Sequence, residues 1–268
     1  MRSLKTGVAI ALSLVLFALN AAATVKHSIG IARNADETVR YIEHHQYLQD
    51  GRHEVRYYDA DNQLVLFKEI RYPELPQHPI ISQADFLRAM TTTVEQDKDT
   101  ATITRSSPDD AESFSFELND DIIIDAGFDA YVRANFQQLQ RQRTTAFKFA
   151  VPGQTRLLGM KLTYIGREEN LFRFTIEPKN WVVRLLVSGI DLYYDGDAKL
   201  VRYQGFSNLK PPAGQSREVQ IDFRHYESEQ SLDSPLAEWL PGGFWRLFLT
   251  ISKAFSPNSS QETSGGSS

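Results

Sequence analysis

Apolar and polar residues alternate with a period of two over most of the chain. The clearest stretch is Glu37–Tyr72, ETVRYIEHHQYLQDGRHEVRYYDADNQLVLFKEIRY. Alternation of this kind puts one set of side chains on each face of a strand. It is interrupted at Asp50-Gly51 and at Asp59–Asn62, and Asp-Gly between alternating runs is a strong hairpin signal. The pattern predicts strands over 38–48, 52–59 and 63–72, closed by Pro73, Pro76 and Pro79, since proline cannot donate to a ladder. SQADFLRAM (82–90) reads as a short helix capped by Ser82. Further strands follow over 91–96, 100–106 and 112–118.

The period then changes. In DAGFDAYVRANFQQLQ (125–140), Phe128, Tyr131, Val132, Phe136 and Leu139 recur three or four apart, which predicts an amphipathic helix opened by Asp125 or Asp129. Strands resume in TAFKFAV, RLLGMKLTYIG and LFRFTIEP, with turns at Pro152-Gly153 and Gly166–Asn170. NWVVRLLVSG has Asn180 in front and Gly189 behind, the marks of a short helix, while its valines suit a strand as well. A hairpin in IDLYYDGDAKLVRYQGFSNL and a strand in REVQIDFRHYE complete the pass. The balance is about ten strands to two or three helices. It predicts a mainly β (α+β) fold, one large curled antiparallel sheet or incomplete β-barrel with helices against one face.

The ends change that picture. Residues 1–23 combine Arg2 and Lys5, an apolar run from Gly7 to Leu19 and small residues at Ala21 and Ala23. This is the order of a cleavable secretory signal. The run is shorter than the roughly 20 residues that span a bilayer. Export to a periplasm is expected. The chain has no cysteine, so lipoprotein anchoring, disulfides and thiolate metal sites are excluded. Loss of the leader takes the net charge from −5 to −7, and with no basic block the chain offers nucleic acid little to bind. Residues 24–255 read as a single β domain, and SPNSSQETSGGSS (256–268) as a disordered tail.

Tyr57–Val65, YYDADNQLV, returns as Tyr193–Val201, YYDGDAKLV. A calcium loop of the EF type needs glycine sixth and a bidentate acid twelfth. Counted from Asp59 those positions are Leu64 and Ile70, and from Asp195 they are Leu200 and Phe206. Each copy is therefore expected to be a tight turn between strands. The second copy, followed by Gly205, Ser207 and Asn208 and preceded by FRFTIEPKNWVVRLL and by FDAYVRANFQQL with FKFAVPGQ, resembles a group of uncharacterised exported proteobacterial proteins. Those are similar to the lipoprotein-carrier (LolA/LolB-like) superfamily and its domain-of-unknown-function relatives. The resemblance runs over roughly residues 38–226. It implies an antiparallel sheet curled into an incomplete barrel, with helices across its mouth.

No Gly-x-Ser-x-Gly elbow, His-Glu-x-x-His pair or phosphate-binding glycine loop occurs, and no cofactor or metal is expected. The six histidines read as ordinary surface residues; His44 and His45, adjacent in a strand, face opposite ways, and His45 and His53 meet across the first hairpin. The acid pairs Asp109-Asp110, Asp120-Asp121 and Glu168-Glu169 read as solvated turns. Trp181, Arg184, Tyr193, Tyr203 and Phe206 are the expected ligand-cavity residues, with Arg184 at the lip. In Pro235–Phe255, Phe244, Trp245, Phe248 and Ile251 cover one face of a dozen-residue helix, suited to docking on the sheet or to peripheral membrane contact. The expected function is a non-enzymatic periplasmic binding protein for an apolar or lipid-like molecule. The alternatives are an assembly factor taking a protein partner at its sheet edge or C-terminal helix, and a hydrolase built from distant loops.

Overall fold

The computed structural model describes residues 25–180, 189–209 and 218–227. The expectations for 1–23, for Trp181 and Arg184, and for 235–268 lie outside these residues. The first half is a meander of eight strands: β1 (Lys26–Arg33), β2 (Val39–Tyr47), β3 (His53–Asp59), β4 (Leu64–Arg71), β5 (Ile80–Asp85), β6 (Met90–Asp97), β7 (Thr100–Ser106) and β8 (Ala111–Glu117). A short strand, β9 (Ile122–Ile124), leads into helices α1 (Gly127–Ala134) and α2 (Phe136–Gln142). The return consists of β10 (Thr144–Ala150), β11 (Leu158–Glu168), β12 (Leu171–Pro178), β13 (Ile190–Tyr194), β14 (Leu200–Phe206) and β15 (Glu218–Glu227).

All fifteen strands form one sheet, in the order β8-β7-β6-β5-β4-β3-β2-β1-β15-β14-β13-β12-β11-β10-β9. Every neighbouring pair is antiparallel except β9 with β10. The sheet is curled and does not close. Its concave face can be followed through the register, Tyr41–Ala32–Ile221–Tyr203–Leu192–Phe174–Tyr164, because directly paired residues share a face.

Two apolar clusters lie on that face. One gathers Tyr41, Val55, Tyr57, Ile70, Ile81, Val94 and Ile103 with Phe116 and Ile221. The other packs Phe128, Val132, Phe136 and Leu139 of the helices onto Phe147, Leu162, Phe174, Leu192 and Tyr194. The terminal strand β9 stands between them: Ile122 and Ile124 belong to the first cluster and Ile123 to the second. Strand alternation alone achieves this division. β9 is tied back to the β4–β5 connection by Ile124 N–H donating to Gln77 O (3.0 Å) and by His78 Nε2 against Ile122 O (3.1 Å). Lys68 closes the same junction on Asp125 at 2.7 Å. Gly127 is needed there, for a Cβ would sit 2.6 Å from Gln77 O. The curled sheet thus encloses two compartments rather than one hollow.

Several elements differ from the sequence reading. SQADFLRAM is not a helix: Ile80–Asp85 is β5, with Ser82 paired to Glu69 and Thr93. Asp85 then builds a turn, accepting from the Arg88 backbone N–H and from its guanidinium. The long amphipathic helix is two short ones, because the Asn135 side-chain amide donates to Tyr131 O and ends α1. Neither Asp125 nor Asp129 caps it; the preceding residue is Ala126, without a side-chain bond. β1 carries no alternation, since its residues 27–32 are buried on both faces. The two YYD stretches are hairpin turns with the same bonds. Asp59 Oδ1 takes the N–H of Asp61 and Gln63, and Asp195 Oδ1 takes those of Asp197 and Lys199. Asn62 and Ala198 hold matching left-handed φ values of 62° and 58°.

Candidate functional site

The concave face of β1–β4 carries a buried polar seam beside the first apolar cluster. In β2, Glu43, His45 and Tyr47 share this face by strand alternation. Glu43 is almost wholly enclosed. Asn208 Nδ2 donates to its Oε1 at 3.0 Å, and His45 Nε2 lies 3.2 Å from its Oε2. His45 Nδ1 lies 3.0 Å from His53 Nε2, across the β2–β3 hairpin. With Glu43 ionised, His45 Nε2–H donates to it, and the direction of the bond between His45 Nδ1 and His53 Nε2 is set by the protonation of the two rings. The chain ends at His53 Nδ1. That atom is buried and has no partner. Ser28 Oγ, on the same face opposite His45, is also buried and unpartnered.

Aromatic rings frame the seam. Tyr47 stacks on His53 with centroids 4.2 Å apart, and Phe223 meets His45 edge-on at 5.8 Å. Tyr72, Tyr203 and Phe223 are half-buried and pack against the first cluster. Burial pushes the Tyr47 hydroxyl well above its ordinary pKa, with Asp129 adding to the shift and Arg133 of α1 opposing it. The His53 imidazole is pushed well below its usual range, first by burial and then by His45, Arg133 and Lys68. It is therefore neutral at pH 7. Lys68 is closed by Asp125 at 2.7 Å and Arg133 by Asp129 at 3.5 Å. The arrangement is an apolar, aromatic floor with the polar chain Glu43–His45–His53 at one end and the pairs Lys68–Asp125 and Arg133–Asp129 around it.

The convex face of the same strands holds a second histidine pair. His27 Nδ1 and His44 Nε2 are 3.0 Å apart and His27 stacks on Tyr226. Burial lowers His27 to about 4 and holds His44 well below its ordinary value. Reading these histidines as surface residues is corrected: His27, His44, His53 and His78 are all buried. The signal was present in the alternation, which gave His53 and His45 one face of one hairpin, but nothing in the pattern said that this face was interior. The three acid pairs are exposed, as expected.

Of the expected cavity residues, Tyr203 is on the concave face, packed against both clusters, its hydroxyl donating to Phe206 O at 2.7 Å. Phe206 ends β14, half-buried. Tyr193 is a correction: it lies on the face opposite Leu192 and Tyr194, beneath the Arg173 guanidinium at 5.7 Å. A register shift between Tyr193 and Tyr194 accompanies the hairpin, and Tyr194, not Tyr193, enters the cluster. Trp181, Arg184, Phe244, Trp245, Phe248 and Ile251 lie outside the described residues. Among the described residues no group of three or more His, Cys, Asp or Glu is placed to hold a metal ion, and no helix is long and apolar enough to cross a membrane. No family model and no curated protein matches the chain.

Proposed function

We propose that the protein is a non-enzymatic binding protein, exported to a periplasm, that holds an apolar or amphipathic ligand against the concave face of its sheet. The observation that carries this reading is the half-buried aromatic rim of Tyr47, Tyr72, Tyr203 and Phe223 over an apolar floor, with one polar end. Such a surface suits an acyl chain, whose burial contributes about 0.8 kcal/mol per methylene and needs no catalytic group. Organic extraction of the purified protein, followed by mass spectrometry, is expected to yield an amphipath in near-equimolar amount. Protein that is lipid-free and takes up no fluorescent fatty-acyl probe contradicts the reading.

A second reading, a hydrolase, is favoured by the Glu43–His45–His53 chain with Ser28 beside it. It is the weaker one. Both His45 nitrogens are engaged, so His45 takes a proton from Ser28 only by giving up a bond it already has. Ester turnover that disappears in Ser28→Ala would restore it.

A further inference from the structure

We infer that the free edge of β8 is a docking surface whose occupant is a second copy of this chain, paired antiparallel about a two-fold axis at Phe114. β8 ends the sheet, and among the described elements β7 is its only neighbour. The other end of the sheet offers no such length, because β9 has three residues and its Ile124 N–H is bonded onward to Gln77 O. The parity of the β7–β8 ladder shows what β8 leaves open. Ser107 N–H donates to Asp110 O, and Leu118 N–H donates to Asp99 O. Hydrogen-bonded pairs alternate along an antiparallel ladder, so Glu112, Phe114 and Phe116 are the residues bonded to β7. The N–H and C=O groups of Ala111, Ser113, Ser115 and Glu117 therefore point off the sheet, and all four residues are exposed. Edges of this kind are usually blunted by lysine, proline or a bulge. β8 carries none of these. Its one charge on the side of the first cluster, Glu112, is closed by Arg105 at 2.6 Å.

The strand's own sequence favours a copy over a foreign strand. AESFSFE has Phe114 at its middle. An axis there pairs β8 flush along its length, with Ala111 opposite Glu117, Glu112 opposite Phe116 and Ser113 opposite Ser115 of the copy. The outward N–H and C=O groups close on one another, and no acid faces an acid. Moving the axis one residue either way brings Asp109 toward Glu117, or Asp110 toward Asp120, of the copy, and like charges directly opposite destabilise a sheet. On the solvent face, the hydroxyl pairs Thr104–Ser113 and Thr102–Ser115, both at 2.9 Å, run on into those of the copy. On the other face, Phe114 and Phe116 lie 5.3 Å apart beside the first cluster and meet the same two rings. The first compartments of the two copies thus become neighbours.

The test is sedimentation velocity of the full chain. One strand pair is an interface of the small, transient class, so a monomer–dimer equilibrium is expected with a dissociation constant on the order of 10–100 µM. Ser115→Pro removes one outward donor from each copy, at an edge position where proline is tolerated, and should weaken the dimer about tenfold. Ala111→Lys sets an ammonium opposite Glu117 of the copy and should tighten it about threefold. The chain has no cysteine, so single cysteines report the register. Phe114→Cys lies on the axis in a closely spaced pair and should oxidise to a disulfide-linked dimer. Ala111→Cys, about 20 Å from its counterpart, should not. The unsubstituted chain decides the matter even if a variant misfolds. A chain that sediments as a monomer throughout that concentration range overturns the inference. So does a dimer unmoved by Ser115→Pro, or cross-linking at Ala111→Cys in place of Phe114→Cys.

Discussion

The two compartments of one continuous sheet are filled by different means. The second is closed by helices: Phe136 meets Phe172, Phe174 and Tyr194 within about 6 Å, and nearly every ring touches another ring. The first has no helix in its cluster. It is lined by the strands' own side chains and by β9, and Glu43, His45 and His53 stand beside it instead of hydrocarbon. An interior stabilised by volume tolerates little change of shape and offers no chemical distinction between ligands. An interior finished with polar atoms is less stable where one is left unmet, and it is there that a ligand is recognised. On the proposed function, the contrast assigns binding to the first compartment and rigidity to the second.

The largest expected effect tests the volume-filled side. Phe174 is fully buried and contacts Phe136, Tyr164 and Tyr194. Phe174→Ala should cost about 3–5 kcal/mol, read as a lowered urea midpoint, with probe affinity at low urea little changed. Next comes the polar side. Glu43→Ala orphans the Asn208 amide and the His45 Nε2–H and should cost about 2–3 kcal/mol, while also lowering acyl-probe affinity. A variant that loses stability yet keeps probe affinity would break the division of labour.

The third test is pH. His27, His44 and His53 all have folded-state values below the ordinary 6.5. The unfolded chain therefore binds more protons than the folded one as pH falls through 6.5, and stability declines in that window. His27 continues to contribute down to about 4. The urea midpoint should be flat from pH 8 to 7 and fall between 6.5 and 4.5, and His27→Gln should flatten the fall. The smallest effect concerns the two hairpins, one serving each compartment. Asp59→Ala and Asp195→Ala each remove two backbone N–H acceptors in the same geometry. Each should cost about 1–2 kcal/mol, and by the same amount. Unequal costs would show that the compartments strain a shared turn differently.

Much of the architecture was legible because period-two alternation survives wherever one face is solvated. β2, β3 and β4 fall within a residue or two of the expected 38–48, 52–59 and 63–72. β1 was not, because burial on both faces erases the pattern. β5 was misread because Phe86, Leu87 and Met90 supply a helix-like spacing whose middle is a turn, with Phe86 and Leu87 exposed. The partition by Ile122–Ile124 has no local signature, being three apolar residues whose partners are brought together only by the curl. The site divides the same way. Tyr203 was legible as an inward aromatic, Tyr193 turns to the other face by simple alternation between Leu192 and Tyr194, and the Glu43–His45–His53 chain required knowing which side of the sheet was interior.

The central claim is that a ligand lies on the concave face, in the first compartment. The most direct measurement is paramagnetic relaxation by a spin-labelled acyl chain, followed by methyl and aromatic NMR of the full chain. The account predicts strong broadening at Val55, Ile70, Tyr203 and Phe223, with Tyr193 on the convex face and Phe136 in the second compartment unaffected. Broadening centred on Phe136 and Phe174, or spread evenly over the convex face, would contradict it.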